Sequence, residues 1–262
     1  PEMAELVFGD PCTEDGMGLG VPGITGDGLR MCWNANAGKV SSDITVGTVE
    51  ALVNAIDAGK QGVTLTAGVY DLREAVDGGI VTLIAPLSLT GRGDVEIVGG
   101  FKFGEGTSSF EADGITFNGD GKALGNTFEI AAATVLDRIL IQNCEIVGYN
   151  KSLFYGNGAD SSVGNFIFMK NLVHGFGTGQ GMIDIRKGVY GVVDISQNSF
   201  YDGGRDFVRI DKEIASSIAI TNNTFASCSV NAGNGLLWIR SLAADPSKYV
   251  VKKNLFLNIT SA

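Results

Sequence analysis

The sequence predicts an all-β fold, a parallel β-solenoid in which each coil contributes two or three short strands. The main observation is a repeat in which asparagine precedes an apolar strand end. Its four clearest copies lie 27, 25 and 31 residues apart, at Asn171, Asn198, Asn223 and Asn254. A short apolar strand precedes each copy, and no helical period interrupts the series. Self-similarity at intervals of this length is typical of a stacked repeat.

The composition supports the same fold class. Glycine accounts for 38 of 262 residues and proline for only 5, so glycine is about twice its usual share without the triplet period of collagen. We expect many of these glycines at coil corners, where the chain needs a positive φ. Hydrophobic residues make up 44% of the chain, which excludes disorder. No apolar run is long enough to form a membrane-spanning helix.

The first half contains one helix signal. Residues 48–58 place apolar side chains at helical spacing, with Thr48 as the N-cap and Gly59 just past the C-terminus. We expect this short helix to cap the open apolar end of the solenoid. Residues 1–44 show little pattern and are predicted to be an irregular lead-in or the remnant of an upstream domain. The solenoid domain is predicted to span residues 45–262.

Several segments resemble a known fold family, namely TVEALVNAIDAGKQGVTLTAGVYDL, LSLTGRGDVEIVGG and the recurring NNTF-like turns. They are similar to the right-handed parallel β-helices of the pectate-lyase-like superfamily, over roughly residues 45–260. The segments GMIDIRKG and RDFVRIDK resemble uncharacterised surface lipoproteins of polysaccharide-utilising bacteria. The predicted fold is therefore an all-β right-handed parallel β-helix with a short N-terminal capping helix. The resemblance implies a secreted or cell-surface protein, its leader absent from this chain, with a polysaccharide or oligosaccharide partner.

The charge distribution narrows the class of ligand. The formal net charge is −10, which argues against a general nucleic-acid binder because such proteins need a basic surface. Residues 1–131 carry a net charge of −12, whereas residues 132–262 carry +2. We therefore expect any site for an anionic ligand in the second half of the chain.

Three later strands can be aligned with constant offsets of 25 and then 29 residues. Ile183, Val208 and Leu237 then stack inward, and strand alternation sends their neighbours outward. The predicted outward rows are Met182–Phe207–Leu236, Asp184–Arg209–Trp238 and Arg186–Asp211–Arg240.

These rows have two interpretations. In the first, opposite charges on neighbouring coils form ion pairs on an exposed sheet, and the rows have no further role. In the second, they form a sugar-binding groove. Arg186, Arg205 and Arg240 would bind uronate carboxylates, while Phe207 and Trp238 would offer apolar faces to pyranose rings.

The resemblance to β-helix lyases implies a possible β-elimination. Such a reaction needs Ca²⁺, Lys or Arg to neutralise the uronate carboxylate and a base for the C5 proton. Arg209 is the best-placed base candidate, and Lys187 is the alternative whose proton affinity is more easily tuned. A Ca²⁺ ion would need several oxygen ligands, for which the nearby carboxylates are Asp184, Asp206 and Asp211.

Hydrolysis ranks below elimination because no Asp/Glu pair aligns on adjacent coils in these rows. The repeat register before residue 140 is too loose to assign residues to rows. The single histidine, His174, is interpreted as a surface or turn residue. The sequence thus predicts an extracellular β-helix protein that acts on or binds acidic polysaccharide, lyase-like if catalytic. The alternative is a non-catalytic surface glycan-binding protein that uses the same Arg/Trp stripe.

Overall fold

The computed structural model describes residues 44–177, 181–203, 206–211, 217–230, 236–239 and 246–261. It confirms the predicted fold class, because the described chain forms an all-β, right-handed parallel solenoid with one short α-helix near its start. The predicted lead-in lies outside the described residues except for Ile44, so the domain boundary stays a prediction.

The regular elements follow in chain order. The α-helix is α1 (Val49–Asp57), and short 3-10 helices cover Leu72–Glu74, Asp77–Gly79 and Pro246–Lys248. The strands are β1 (Ile44–Val46), β2 (Gly62–Asp71), β3 (Ile80–Leu83), β4 (Leu87–Val98), β5 (Gly100–Phe103), β6 (Ser109–Asp113), β7 (Thr116–Asn118), β8 (Phe128–Ile130), β9 (Val135–Gln142), β10 (Glu145–Val147), β11 (Phe154–Gly156), β12 (Ser162–Met169), β13 (Leu172–Phe176), β14 (Ile183–Ile185), β15 (Val189–Ser196), β16 (Ser199–Gly203), β17 (Val208–Ile210), β18 (Ser217–Thr221), β19 (Thr224–Val230), β20 (Leu237–Ile239), β21 (Tyr249–Lys252), β22 (Leu255–Leu257) and β23 (Thr260–Ser261).

The coils stack to form three parallel faces. The first face runs from the first half of β4 through β6, β9, β12, β15 and β18 to β21. The second face runs from the second half of β4 through β7, β10, β13, β16 and β19 to β22. The third face is a separate sheet that contains β3, β5, β8, β11, β14, β17 and β20. Because the long strand β4 turns through a corner, the first and second faces form one continuous sheet.

The N-terminal helix has the predicted cap. The Thr48 side chain accepts a hydrogen bond from the Ala51 backbone N–H at 3.2 Å, and Gly59 has the positive φ of a residue just past a helix end. Leu52 and Ile56 are buried where α1 packs against β1 and β2. The helix therefore covers part of the first coil. Among the described helices, none combines the length and apolar character needed to cross a membrane.

An asparagine ladder explains the repeat in the sequence. The Asn198 Oδ1 accepts the Asn171 backbone N–H at 2.9 Å, and the Asn198 Nδ2 donates to the Phe168 carbonyl at 2.9 Å. The Asn223 Oδ1 accepts the Asn198 backbone N–H in the same way, and the Asn254 Oδ1 accepts that of Asn223. Each side chain thus joins one coil to its neighbour at the corner between the first and second faces, where backbone groups lack strand partners.

The ladder ends at Cys144. The Asn171 Oδ1 accepts the Cys144 backbone N–H at 2.9 Å, so Cys144 stands at the position that asparagine takes in later coils. Asn143 precedes it with φ 52°. Residues 142–146 therefore form the same corner in register with the later ones, with the asparagine one position earlier.

Twelve of the described glycines have the expected positive φ, but the corners that directly precede the ladder positions differ from the expectation. Their left-handed residues are not glycines, and all are exposed, with φ between 52° and 59°: Asn143, Lys170, Gln197, Asn222 and Lys253. Their side chains extend into solvent, so a Cβ is tolerated there at a moderate conformational cost. Some glycines serve close coil packing instead. A Cβ on Gly191 would lie 2.3 Å from the Gly164 carbonyl oxygen of the preceding coil.

The core consists of stacked rows of apolar side chains. Phe200, Phe225 and Phe256 occupy equivalent positions on successive coils of the second face. Their ring centroids are 5.1 and 5.3 Å apart with interplanar angles of 13°. Such rows form because in-register parallel strands place like residues about 4.8 Å apart, and offset stacking of aromatic rings adds to their burial.

We expect Asn198→Ala to lower the free energy of unfolding by about 2–5 kcal/mol, because the buried Asn171 N–H and Phe168 carbonyl would both lose their partners. Asn198→Asp keeps the acceptor but places a buried carboxylate against the Phe168 carbonyl and the Asn223 Oδ1, so its loss should be at least as large. Urea unfolding followed by circular dichroism measures both changes. Asn165→Ala, at an exposed asparagine on the first face, is the matched control and should change stability by less than about 0.5 kcal/mol. An Asn198→Ala variant as stable as this control would contradict the role of the ladder.

Candidate functional site

The predicted stripe lies on the third face, and its central register is confirmed. Asp184 pairs with Arg209, and Arg209 pairs with Trp238, through in-register positions on β14, β17 and β20. The row continues backward to Tyr155 on β11. Because each of these strands has three residues, only its middle side chain points outward. The outward surface is therefore a single file of side chains along the solenoid axis.

Asp184 anchors the first half of this stripe. Its side chain has 0% exposed surface, and its two oxygens accept hydrogen bonds from the Arg186 Nε at 2.9 Å and Nη2 at 2.7 Å. These hydrogen bonds raise the pKa of the Arg186 guanidinium above its ordinary value. Arg186 therefore stays cationic, and its Cζ lies 5.6 Å from the centre of the Tyr155 ring, within the range of a cation–π contact.

Arg209 forms a similar unit one coil later. Its Nε donates to Asp211 Oδ2 at 3.0 Å, and the same Nε lies 3.9 Å from Asp184 Oδ1. Its Cζ lies 5.2 Å from the centre of the Trp238 ring. The stripe thus contains two units, Tyr155 with Arg186 and Arg209 with Trp238, held by the carboxylates of Asp184 and Asp211.

The structure corrects the predicted ion pairing. We expected Arg186 to contact Asp211 on the neighbouring coil, but the short contacts of both arginines are with the carboxylate two residues away on the same chain segment. Residues two apart in an extended segment point to the same side, and long arginine side chains can fold back to reach such a neighbour.

Two predicted outward residues instead point inward. Phe207 has 0% exposed surface and Met182 has 1%, so the expectation of an exposed Phe207 ring is wrong. The Phe207 centroid lies 5.8 Å from that of Phe200 and 5.1 Å from that of Phe225. Both residues precede three-residue strands, where the chain is still turning the corner, so strand alternation does not determine their direction. Phe207 belongs to the core and offers no face to a sugar.

A Ca²⁺ site fits these residues poorly. Both Asp184 oxygens and the Asp211 Oδ2 accept hydrogen bonds from guanidinium groups, so they compete with a hard cation that needs the same oxygens. Asp206 is fully buried, and its backbone carbonyl accepts the Met182 N–H at 2.9 Å. Among the described residues, no group of three or more His, Cys, Asp or Glu side chains could hold a metal ion. Calcium binding stays a prediction that the observed contacts do not favour.

The remaining predicted residues fall into two groups. Lys187 is exposed directly after Arg186, and its backbone N–H donates to the Gly156 carbonyl at 3.0 Å. Arg205 and Arg240 lie outside the described residues. Sequence reasoning missed Tyr155, although its distance of 29 residues from Asp184 equals the offset between Arg209 and Trp238.

Comparison with known proteins gives one match. Residues 68–203 match a family model described as "Domain of unknown function (DUF4957)". This stretch extends from within β2 to the end of β16 and covers just over half of the chain. A search of curated proteins finds no match.

We expect Asp184→Asn to lower the free energy of unfolding by about 2–3 kcal/mol, because it removes a buried charge that two arginines face. The loss should be below that of a fully buried ion pair, since the Arg186 side chain is 27% exposed and water can solvate it. Thermal and urea unfolding measure the change. Asp202→Asn, at an exposed aspartate of the next coil, is the control and should leave stability unchanged. Equal stability of the two variants would show that the pair contributes nothing.

Proposed function

The chain belongs to the DUF4957 family, and from its solenoid fold and third-face stripe we propose that it is an extracellular protein that binds acidic, uronate-containing polysaccharide. The observation that carries the proposal is the pair of aromatic–guanidinium units, Tyr155 with Arg186 and Arg209 with Trp238. Each unit combines an aromatic ring, suited to the apolar face of a sugar, with a cation suited to its carboxylate.

The orientation of the guanidinium groups supports this proposal. Arg186 uses the edge formed by Nε and Nη2 to bind Asp184, and Arg209 uses the same edge to bind Asp211. Among the described residues, neither Nη1 atom makes a hydrogen bond, so the outer edge of each guanidinium retains its donors. The aspartates thus hold two planar donor groups in fixed positions, which lowers the entropy cost of binding a carboxylate.

The local charge is compatible with the same ligand class. Arg186 and Arg209 are balanced by Asp184 and Asp211, but the exposed Lys187 has no carboxylate within ion-pair distance among the described residues. With the buried Asp206 counted as well, the charges of the described residues balance here, so the stripe is locally neutral on a chain whose total charge is −10. An acidic protein can bind an anionic polymer at such a site because screening limits the repulsion from distant charges to about 10 Å.

We expect Arg209→Ala and Trp238→Ala each to weaken binding of polygalacturonate or alginate about 10-fold to 100-fold, since each removes one partner of a charged or aromatic contact. Affinity electrophoresis in gels that contain either polymer measures the effect. Arg92→Ala removes an exposed arginine from β4 and is the matched control for net charge. Wild-type mobility in Arg209→Ala and Trp238→Ala gels would contradict the proposal.

Elimination chemistry is the second candidate, and the exposure of Lys187 favours it. As the base, the neutral Lys187 amine would take the C5 proton, the C4–O bond would break as a C4=C5 double bond forms, and the leaving oxygen would take a proton from water. We expect ultraviolet absorbance of the unsaturated product with wild-type protein and none with Lys187→Ala. Assays with Ca²⁺ and with a chelator would show whether the elimination requires the metal. Binding of polysaccharide without an absorbance change would contradict elimination and support the glycan-binding function alone.

A further inference from the structure

A cleft opens on the second face, away from the third-face stripe. Its volume is about 490 Å³, within the range of ligand sites. Backbone from three successive coils forms its floor and rim, including Gly68, Gly93 and Gly114. The pairing of β2 with β4 shifts register between Thr66 and Gly68, which opens the corner at this point.

Three polar side chains line the cleft in one outward row. Glu96 on β4 is in register with Thr116 on β7, and Thr116 is in register with Glu145 on β10. The two glutamates are therefore two coil steps apart, and their Cα atoms are separated by about 9.6 Å. The loose register before residue 140 and the short 20-residue step from Glu96 to Thr116 concealed this pair in the sequence.

A neutral amide holds Glu96. The Asn118 Nδ2 donates to Glu96 Oε1 at 2.9 Å. The orientation of this amide is fixed, because its Oδ1 accepts the Asp120 backbone N–H at 2.8 Å. The Nδ2 can only donate, so this contact fixes the position of Glu96 Oε1 and leaves Oε2 for a proton from water.

The only histidine of the chain holds the second glutamate. The His174 Nε2 lies 2.8 Å from Glu145 Oε1, and the His174 ring stacks on Tyr201 with a centroid distance of 4.5 Å and an interplanar angle of 5°. Imidazole can donate or accept at this contact, so it can accommodate either the ionised or the protonated form of Glu145. This contact goes beyond the surface or turn role that the sequence indicated for His174.

Both glutamates lean in the same direction. Each bonds to a side chain two residues further along on the following coil, Asn118 for Glu96 and His174 for Glu145. The separation of their carboxyl groups therefore stays close to two coil steps. That distance, about 9.6 Å, is far above the roughly 5 Å of retaining glycoside hydrolases and lies at the upper limit of the roughly 6.5–9.5 Å range of inverting ones.

We propose that this cleft is a glycoside-hydrolysing site, independent of the third-face stripe, with Glu96 as the general base and Glu145 as the general acid. Glu96 takes a proton from a water molecule that attacks the anomeric carbon, while Glu145 gives its proton to the departing glycosidic oxygen. The bond from the anomeric carbon to that oxygen breaks, one water is consumed, and two hydroxyl-ended sugars form with inversion at the anomeric carbon.

The charge of the cleft selects the class of substrate. Asp94 also lines it, beside Glu96 and Glu145, so a uronate would meet like charge. The substrate class is therefore a neutral glycan, and His174 acts as a positioning residue for Glu145. Acidic and neutral sugars would thus bind on different faces of the protein.

The test uses the full chain with the hexaoses of xylose, galactose, glucose and mannose as probes. We expect new reducing ends from at least one hexaose, and proton NMR at early times should show the inverted anomer. Glu96→Gln and Glu145→Gln should each lower the rate by about 100-fold to 10,000-fold. Glu105→Gln, at an exposed glutamate outside the cleft, should retain the full rate. Matching thermal midpoints would confirm that all three variants fold.

Three outcomes would overturn the proposal. They are no cleavage of any hexaose, a retained anomer at early times, and full activity in both cleft variants. Arg209→Ala distinguishes this proposal from the polysaccharide-binding one, because it should weaken binding of polygalacturonate and leave hexaose cleavage unchanged. His174→Ala tests positioning, since it should shift the alkaline limb of the pH–rate profile, which the general acid Glu145 sets, while leaving the acidic limb, which Glu96 sets, in place.

Discussion

In-register stacking of coils about 4.8 Å apart is the constraint on which the rest of this structure depends. The corner between the first and second faces is where that register is most easily lost, because the strand ladder is interrupted there. The asparagine side chains close the gap by satisfying a backbone N–H and a carbonyl of the preceding coil. Every row, inside and outside, then follows from this alignment.

A three-residue strand between two corners presents one outward side chain, and this limits how functional side chains can be arranged on the solenoid surface. On the third face, the middle residues of the strands form a row in which Tyr155, Asp184, Arg209 and Trp238 follow one another along a line. On the second face, the same rule places Thr116 between Glu96 and Glu145. Distances between functional groups on this protein are therefore set in whole coil steps, with small adjustments from the lean of each side chain.

Much of the fold could be predicted from the sequence because the repeat period is visible in the spacing of its residues. The sequence predicted the repeated corners from the asparagine spacing, the apolar strands before them and the capping helix. The row of Asp184, Arg209 and Trp238 followed from constant offsets. Corners could not be predicted equally well, because they lack an alternating pattern. Phe207 follows a corner and turns inward, and the corners before the ladder use exposed polar residues where glycine was expected.

The replacement of asparagine by Cys144 divides the solenoid into two parts with different internal cohesion. Coils after this point are joined by a continuous chain of polar side chains in addition to stacked rings such as Phe200 and Phe225, whereas the earlier coils have clustered rings that include Phe101, Phe110 and Phe128 without that chain. Neighbour interactions govern the cooperativity of repeat proteins. We therefore expect amide hydrogen exchange to report two cooperative units that meet near β10, and mechanical extension to open them in separate steps.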